Sequence, residues 1–234
     1  MSEENKDATD GNKRLTIVKE IAFILVSAIL LSLLVKTFFI QAFYIPSESM
    51  MNTLQKGDRI LVNKLTPGVF DVNRGDIIVF KDPGGWLKSS VVPEKTGVSR
   101  WVSNGLTFIG LLPQDSGNHL VKRVIGISGD HVVCCDTAGR ITVNGQPIDE
   151  TPYLKEGVQP STVAFDQIVP DDKLWVMGDN RSDSLDSRYN QGSAGGGFVP
   201  KKNVVGTAFV KVWPLGRIGF LKNPGEVFEE VKKP

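Results

Sequence analysis

The sequence predicts an all-β body of antiparallel sheets behind a single N-terminal transmembrane helix. Three observations carry this expectation. Residues 21–40 are almost wholly apolar, and about 20 such residues cross a bilayer as a helix. Past them, short runs rich in Val, Ile and Phe alternate with turn signals, the pattern of strands. The chain of 234 residues holds 24 Gly and 13 Pro and no sustained helical periodicity beyond the apolar run, which favours a turn-rich β body.

Residues 1–16 are polar and charged and are expected to form a disordered cytoplasmic tail. Residues 17–43 are the expected anchor. Ser27 and Ser32 are the only polar residues of Ile21 to Val35, and Lys36 lies near one end, where its ammonium reaches the headgroups. Phe43 and Tyr44 suit the interface. The run is long and large residues follow it, so it reads as a retained anchor and not as a cleaved leader. Basic residues flank both ends (Lys13, Arg14 and Lys19; Lys36, Lys56 and Arg59), a weak charge signal for orientation. The short polar side is the natural cytoplasmic stub.

The body is expected over 44–130 and 173–215, with a small second β region over 131–172 and a tail over 216–234. Strands are predicted at Arg59–Val62, Asp76–Phe80, His119–Ile125, His131–Cys134, Arg140–Val143, Lys173–Met177 and Val204–Trp213. Asn144-Gly145 marks a tight hairpin turn. Residues 84–118 form an insertion carrying Trp86, Trp101, Phe108, Ile109, Leu111 and Leu112, read as a β insertion or a lipid-touching loop. The glycine-rich run 192–197 lacks the Lys-Ser/Thr ending of a phosphate cradle and reads as a loop.

The net charge of +1 supplies no strong field, which argues against a nucleic-acid partner. The two cysteines, Cys134 and Cys135, are adjacent. They form no framework and no spaced metal motif. They are either two small strand residues or a vicinal disulfide.

Two serines, Ser47 and Ser49, stand a few residues beyond the apolar run. A serine needs a base to become a nucleophile. His119 and His131 are the only histidines, no G-x-S-x-G elbow occurs, and nothing in the spacing places either histidine beside a serine. Lys122 is the other option. It lies within an apolar strand, and an inward-facing lysine is desolvated, which lowers its pKa. An outward-facing lysine would merely be solvated, and spacing alone leaves both readings open.

Four segments decide between them. Pro46 to Leu54 with Gly57-Asp58, Arg74 to Phe80, Val121 to Gly126 with Gly129-Asp130, and Met177 to Arg188 resemble, in order, the four boxes of type I signal peptidases. The resemblance covers most of residues 38–213. It implies a Ser-Lys dyad protease that removes signal peptides from secreted preproteins. On it, Ser49 is the nucleophile and Lys122 the general base. The Ser47 hydroxyl and the Ser49 N–H would bind the oxyanion, and Ser184 would orient the lysine. Arg123, Asp179, Asp186 and Arg188 would be supporting charges, and Ile45, Pro46 and Val121 walls of a pocket for small side chains.

The resemblance further implies cleavage after small-x-small sites, with no metal or organic cofactor. The expected partners are preprotein signal peptides, the lipid bilayer and a nearby secretion translocon. The expected place is a bacterial plasma membrane, with the body outside the cytoplasm. Residues 190–196 and the length of 84–118 depart from the family pattern near the substrate groove. A pilus-processing or organellar peptidase would share these motifs. A self-cleaving cytosolic repressor would lack the anchor, and a tethered binding domain would have no need of Ser49, Lys122 and Ser184.

Overall fold

The computed structural model describes residues 4–87 and 118–234. Helix α1 (Glu4–Phe38) opens the chain. Its segment Thr16–Phe38, 23 residues, is long and apolar enough to cross a membrane, since at 1.5 Å per residue it spans about 35 Å. None of that segment is buried against the body. Among the described residues twelve strands follow in the order β1 (Ile40–Tyr44), β2 (Arg59–Asn63), β3 (Ile77–Lys81), β4 (His119–Gly126), β5 (His131–Cys134), β6 (Ile141–Val143), β7 (Gln146–Pro147), β8 (Phe165–Ile168), β9 (Lys173–Met177), β10 (Val199–Pro200), β11 (Val204–Trp213) and β12 (Gly219–Phe220).

The larger sheet runs β1-β2-β11-β3-β4-β9-β10, with β12 added to β11; the smaller runs β7-β6-β5-β8. Every strand pair among the described residues is antiparallel. The all-β body with one apolar N-terminal helix is therefore the observed fold. The β5–β6–β7 meander turns at Asn144 and Gly145, both at positive φ (52° and 79°), the backbone that a two-residue hairpin turn of this type needs.

Three differences from the sequence expectation matter. The anchor helix stops at Phe38, and Ile40–Tyr44 is a strand paired residue for residue with Arg59–Asn63. Phe43 is fully buried with Ile60, Val62 and Val79 and does not sit at an interface. An aromatic residue on a paired strand fits the inner face of a sheet, and this overrides the amphipathic logic that placed it at a membrane. Second, the backbone of residues 4–16 continues the helix instead of forming an unstructured tail. An existing helix lengthens by one hydrogen bond per residue with no new nucleation cost, and no proline interrupts it.

Third, residues 216–234 are no free tail. Phe228 and Val231 are buried in the cluster of Trp175, Phe165 and Ile141. Asn223 donates to the Arg74 carbonyl and to Asp76, and the Lys232 carbonyl accepts from Arg74 and Asn144. The C-terminal segment thus straps the two sheets together. Of the insertion, Trp86 is buried edge-on to Phe80 at 5.8 Å. Trp101, Phe108, Ile109, Leu111 and Leu112 lie outside the described residues. Cys134 and Cys135 are joined as a vicinal disulfide at the end of β5.

Candidate active site

Ser49 lies in the loop between β1 and β2. The loop is closed at its base by Ile45 N–H to the Asp58 carbonyl and Gly57 N–H to the Ile45 carbonyl, both 2.9 Å. Ile45, Met50 and Leu54 anchor its inner side in the core. The Asp58 carboxylate holds it further, taking Gln55 N–H at 2.8 Å and Arg217 at 2.8 Å. Lys122 sits mid-strand in β4, opposite Ile78 of β3. Strand β9 pairs Met177 with Arg123. The chain that leaves β9 as Gly178-Asp179-Asn180 therefore emerges beside the lysine. Asn180 N–H then bonds the Ser49 carbonyl at 3.0 Å, tying that segment to the Ser49 loop.

The structure brings Ser49 and Lys122 together. Lys122 Nζ donates to Ser49 Oγ at 2.7 Å, and the side chains are 73 residues apart in sequence. Lys122 is 3% exposed and Ser49 7%, so the inward reading of the strand lysine is the observed one. Burial lowers the Lys122 pKa to about 8. Asp186, Asp179 and Asp183 oppose that shift, and Arg188 adds to it. Ser47 Oγ lies 3.3 Å from Ser49 Oγ.

Ser184 is also buried, but its Oγ has no hydrogen-bond partner among the described residues. Gly178 explains its closeness to Ser49. A Cβ on Gly178 would collide with both Ser184 Oγ and the Ser49 carbonyl, so only glycine fits between the two serines.

The expected supporting charges form two buried pairs. Arg123 grips Asp179 with bonds of 2.8 and 2.7 Å. It also donates to the Gly75 carbonyl at 2.7 Å. Asp179 in turn accepts Thr53 Oγ1 from the Ser49 loop at 2.5 Å. Arg188 grips Asp186 at 2.9 and 2.8 Å, and Asp186 also takes Gly178 N–H at 3.0 Å. Such buried, bidentate pairs are rigid supports. Of the expected pocket walls, Ile45 is buried in the core cluster, Val121 packs against the same cluster and Pro46 is exposed.

The histidines stand elsewhere. His119 packs on Phe43 at 5.3 Å between ring centres, and burial, then the Lys81 charge, lowers its pKa. His131 pairs with Asp166 at 2.5 Å on the exposed surface.

Sequence reasoning missed Glu150, Tyr153 and Arg181. Arg181 and Glu150 form a third buried ion pair, and the Tyr153 ring lies under the Arg123 guanidinium at 4.3 Å. Arg181 lies inside the Met177–Arg188 box and could have been weighed there. Glu150 and Tyr153 sit in a turn after β7 that carries no motif.

A buried serine thus meets a buried lysine on an antiparallel body behind a membrane-length helix, and the relatives of the chain make it a membrane serine endopeptidase, a hydrolase. The family model for signal peptidase, peptidase S26, matches residues 18–213, and the chain belongs to that family. It is 39% identical to a probable signal peptidase I of Mycobacterium leprae (strain TN), over 88% of this chain and 80% of that protein. It is 33% identical to signal peptidase I P of Bacillus subtilis subsp. natto, over 91% of this chain and 98% of that one. A solved signal peptidase I from Enterococcus faecalis V583 aligns with 58% of this chain and 96% of its own at 22% identity and a TM-score of 0.36.

Proposed function

We propose that this chain removes signal peptides from secreted preproteins after small-x-small sites, with Ser49 as nucleophile and Lys122 as general base. The observation that carries the reading is the 2.7 Å contact between Lys122 Nζ and Ser49 Oγ inside a buried site. A lysine at its ordinary pKa of about 10.4 is neutral in only a few parts per ten thousand at pH 7. At about 8, roughly a tenth is neutral at that pH, and neutral amine is what a base requires.

Neutral Lys122 takes the Ser49 proton as Oγ attacks the carbonyl carbon of the signal peptide's last residue. The oxyanion receives hydrogen bonds from the Ser47 hydroxyl and the Ser49 N–H, each worth several kcal/mol where charge develops. The Lys122 ammonium then protonates the departing amine of the mature chain. An ester on Ser49 remains, and water attacks it as Lys122 takes the proton.

The edge of β4 offers a track for an extended substrate. Strand β9 pairs with β4 only from Arg123 onward. His119 to Lys122 pair with β3 on one side only, among the described residues. A peptide adding to that edge would run toward the dyad. Helix α1 holds the site close to the bilayer, where a translocating signal peptide presents its cleavable bond. The N terminus lies in the cytoplasm and the body outside it, beside the secretion translocon.

The test uses the full-length protein in detergent micelles with a preprotein whose leader ends in Ala-x-Ala. Ser49→Ala and Lys122→Ala each abolish cleavage while the β-sheet spectrum is kept. Cleavage at the wild-type rate by the Lys122→Ala protein would overturn the dyad. In inverted membrane vesicles, residues 47–234 are shielded from added protease; digestion of that body would overturn the orientation.

A further inference from the structure

The turn after β7 reaches every chain segment that builds the Ser49–Lys122 pair. Glu150 is buried, 3% exposed. Its carboxylate takes Arg181 through two bonds of 2.5 and 2.9 Å and the Tyr153 hydroxyl at 2.7 Å. Burial first, and the Glu150 charge second, push the Tyr153 hydroxyl well above its ordinary range, so it stays a donor. Arg181 passes the restraint on. Its Nε donates to the Gly178 carbonyl at 3.0 Å, and its Nη1 also reaches the Pro160 carbonyl at 2.7 Å.

The Gly178 peptide is thus held on both sides, its N–H by Asp186 and its carbonyl by Arg181. Its Cα lies where no Cβ fits, against the Ser49 carbonyl and Ser184. Any slip of Gly178 moves one serine relative to the other.

The same turn touches the other two segments. The Tyr153 ring supports Arg123, the neighbour of Lys122. The Tyr153 and Leu154 carbonyls accept from Asn52 Nδ2 at 3.3 and 3.2 Å. Asn52 lies three residues after Ser49 with φ at 101°. A non-glycine residue in that region is strained and persists only when its surroundings hold it. Lys155 N–H closes the contact on the Asp179 carbonyl at 3.0 Å.

We propose that Glu150 is a positioning residue for catalysis: through Arg181 it fixes the Gly178 peptide and so sets the spacing of Ser49 and Ser184 at the dyad. The proposal rests on the Ser49–Lys122 reading above. Glu150 is too deeply placed behind Arg181 to touch substrate, so its loss acts on geometry and not on binding. A small misplacement of a reacting group costs about 10²-fold in rate. A loss confined to kcat is the sign of an interaction needed in the transition state alone.

The experiment compares full-length wild type, Glu150→Gln, Arg181→Gln and the double variant in micelles, on the Ala-x-Ala preprotein. Thermal midpoints are read alongside to confirm folding at the assay temperature. The expected result is a fall in kcat of about 10- to 100-fold for each single variant, with KM within about twofold. The double variant should lose no more than the worse single one, because the two residues act as a unit. Wild-type kcat in folded Glu150→Gln, a loss carried by KM, or a double variant whose losses multiply would each overturn the proposal.

If Glu150→Gln does not fold, Tyr153→Phe replaces it, since it removes one bond to Glu150 and keeps the ring under Arg123. A kcat lowered about threefold at constant KM supports the proposal, and an unchanged kcat overturns it. Lys122→Ala runs in parallel. Activity there overturns the dyad itself, whereas an inactive Lys122→Ala beside a fully active Glu150→Gln overturns only the role of Glu150.

Discussion

Arg123 and Asp179 face each other through two parallel N–H to oxygen bonds, 2.8 and 2.7 Å long, with both side chains all but sealed from solvent. The pair joins the strand of Lys122 to the segment that leaves β9. Through Thr53 it also reaches the Ser49 loop. A buried ion pair contributes little net stability over an apolar pair, but loss of one partner strands the other charge. Asp179→Ala should therefore destabilise the body by about 3–5 kcal/mol. Thermal unfolding in detergent checks this. A double variant, Arg123→Met with Asp179→Leu, should recover part of the lost midpoint while staying inactive. A double variant less stable than the single one would contradict the stranded-charge argument.

The lowered pKa of Lys122 fixes the direction of two pH effects. With Lys122 as the proposed base, activity needs the neutral amine, so kcat should rise with pH through about 8 and level off above it. Asp183 is exposed and its charge raises the Lys122 pKa. Asp183→Asn should therefore move the rising limb to lower pH. A limb that stays in place would show that its midpoint does not belong to Lys122.

Stability follows the same group with a definite sign. Burial lowers the Lys122 pKa to about 8 in the folded chain from its ordinary value of 10.5 in the unfolded one. Between those values the unfolded chain binds more protons, so stability rises with pH across that window and the burial cost is complete below it. Lys122→Met removes the cost. It should stabilise the inactive protein at pH 7 by about 3 kcal/mol, the size of a shift of about two and a half units. The gain should shrink toward zero as pH approaches 10.5. Parallel melts of the two proteins from pH 7 to 10 would show this convergence, and a constant gap would oppose it.

The period-2 runs and turn signals made most strands of the larger sheet legible, and the order of four short boxes singled out Ser49 and Lys122, which the structure brings into contact. What escaped did so for physical reasons. Val199–Pro200 and Gly219–Phe220 are two-residue strands, too short to carry a period. Ile40–Tyr44 reads as more membrane helix because Phe38, Phe39, Ile40, Ala42 and Phe43 resume the apolar character past Lys36-Thr37, and its pairing with Arg59–Asn63 is a tertiary fact. Glu150 looks like any surface turn residue. Only its partner, Arg181, 31 residues on, makes it a buried ion-pair member.

The strap formed by the C-terminal segment gives a third prediction. Phe228 is buried beside Val231 in the cluster that includes Trp175. A buried phenylalanine cut to alanine costs about 3–5 kcal/mol. Phe228→Ala should lower the thermal midpoint, whereas exposed Phe220→Ala, at a side chain 80% exposed, should hardly move it. Equal effects of the two substitutions would mean that the strap does not pack as described.

Ser184 carries the last prediction, because its two possible roles pull stability and rate in different directions. Its hydroxyl is buried without a hydrogen-bond partner among the described residues, and an uncompensated buried hydroxyl is a cost to the fold. A serine serving only the local turn would make its bond there, and its removal would lower stability. A serine kept for Lys122 would make its bond only when the lysine is aligned for the reaction. Ser184→Ala should then leave the thermal midpoint unchanged or raise it slightly, while kcat falls about 10- to 100-fold. Measured side by side on one preparation, a fall in both would return Ser184 to a structural part. Full kcat would end its part in orienting Lys122, and opposite movements would place it beside Lys122.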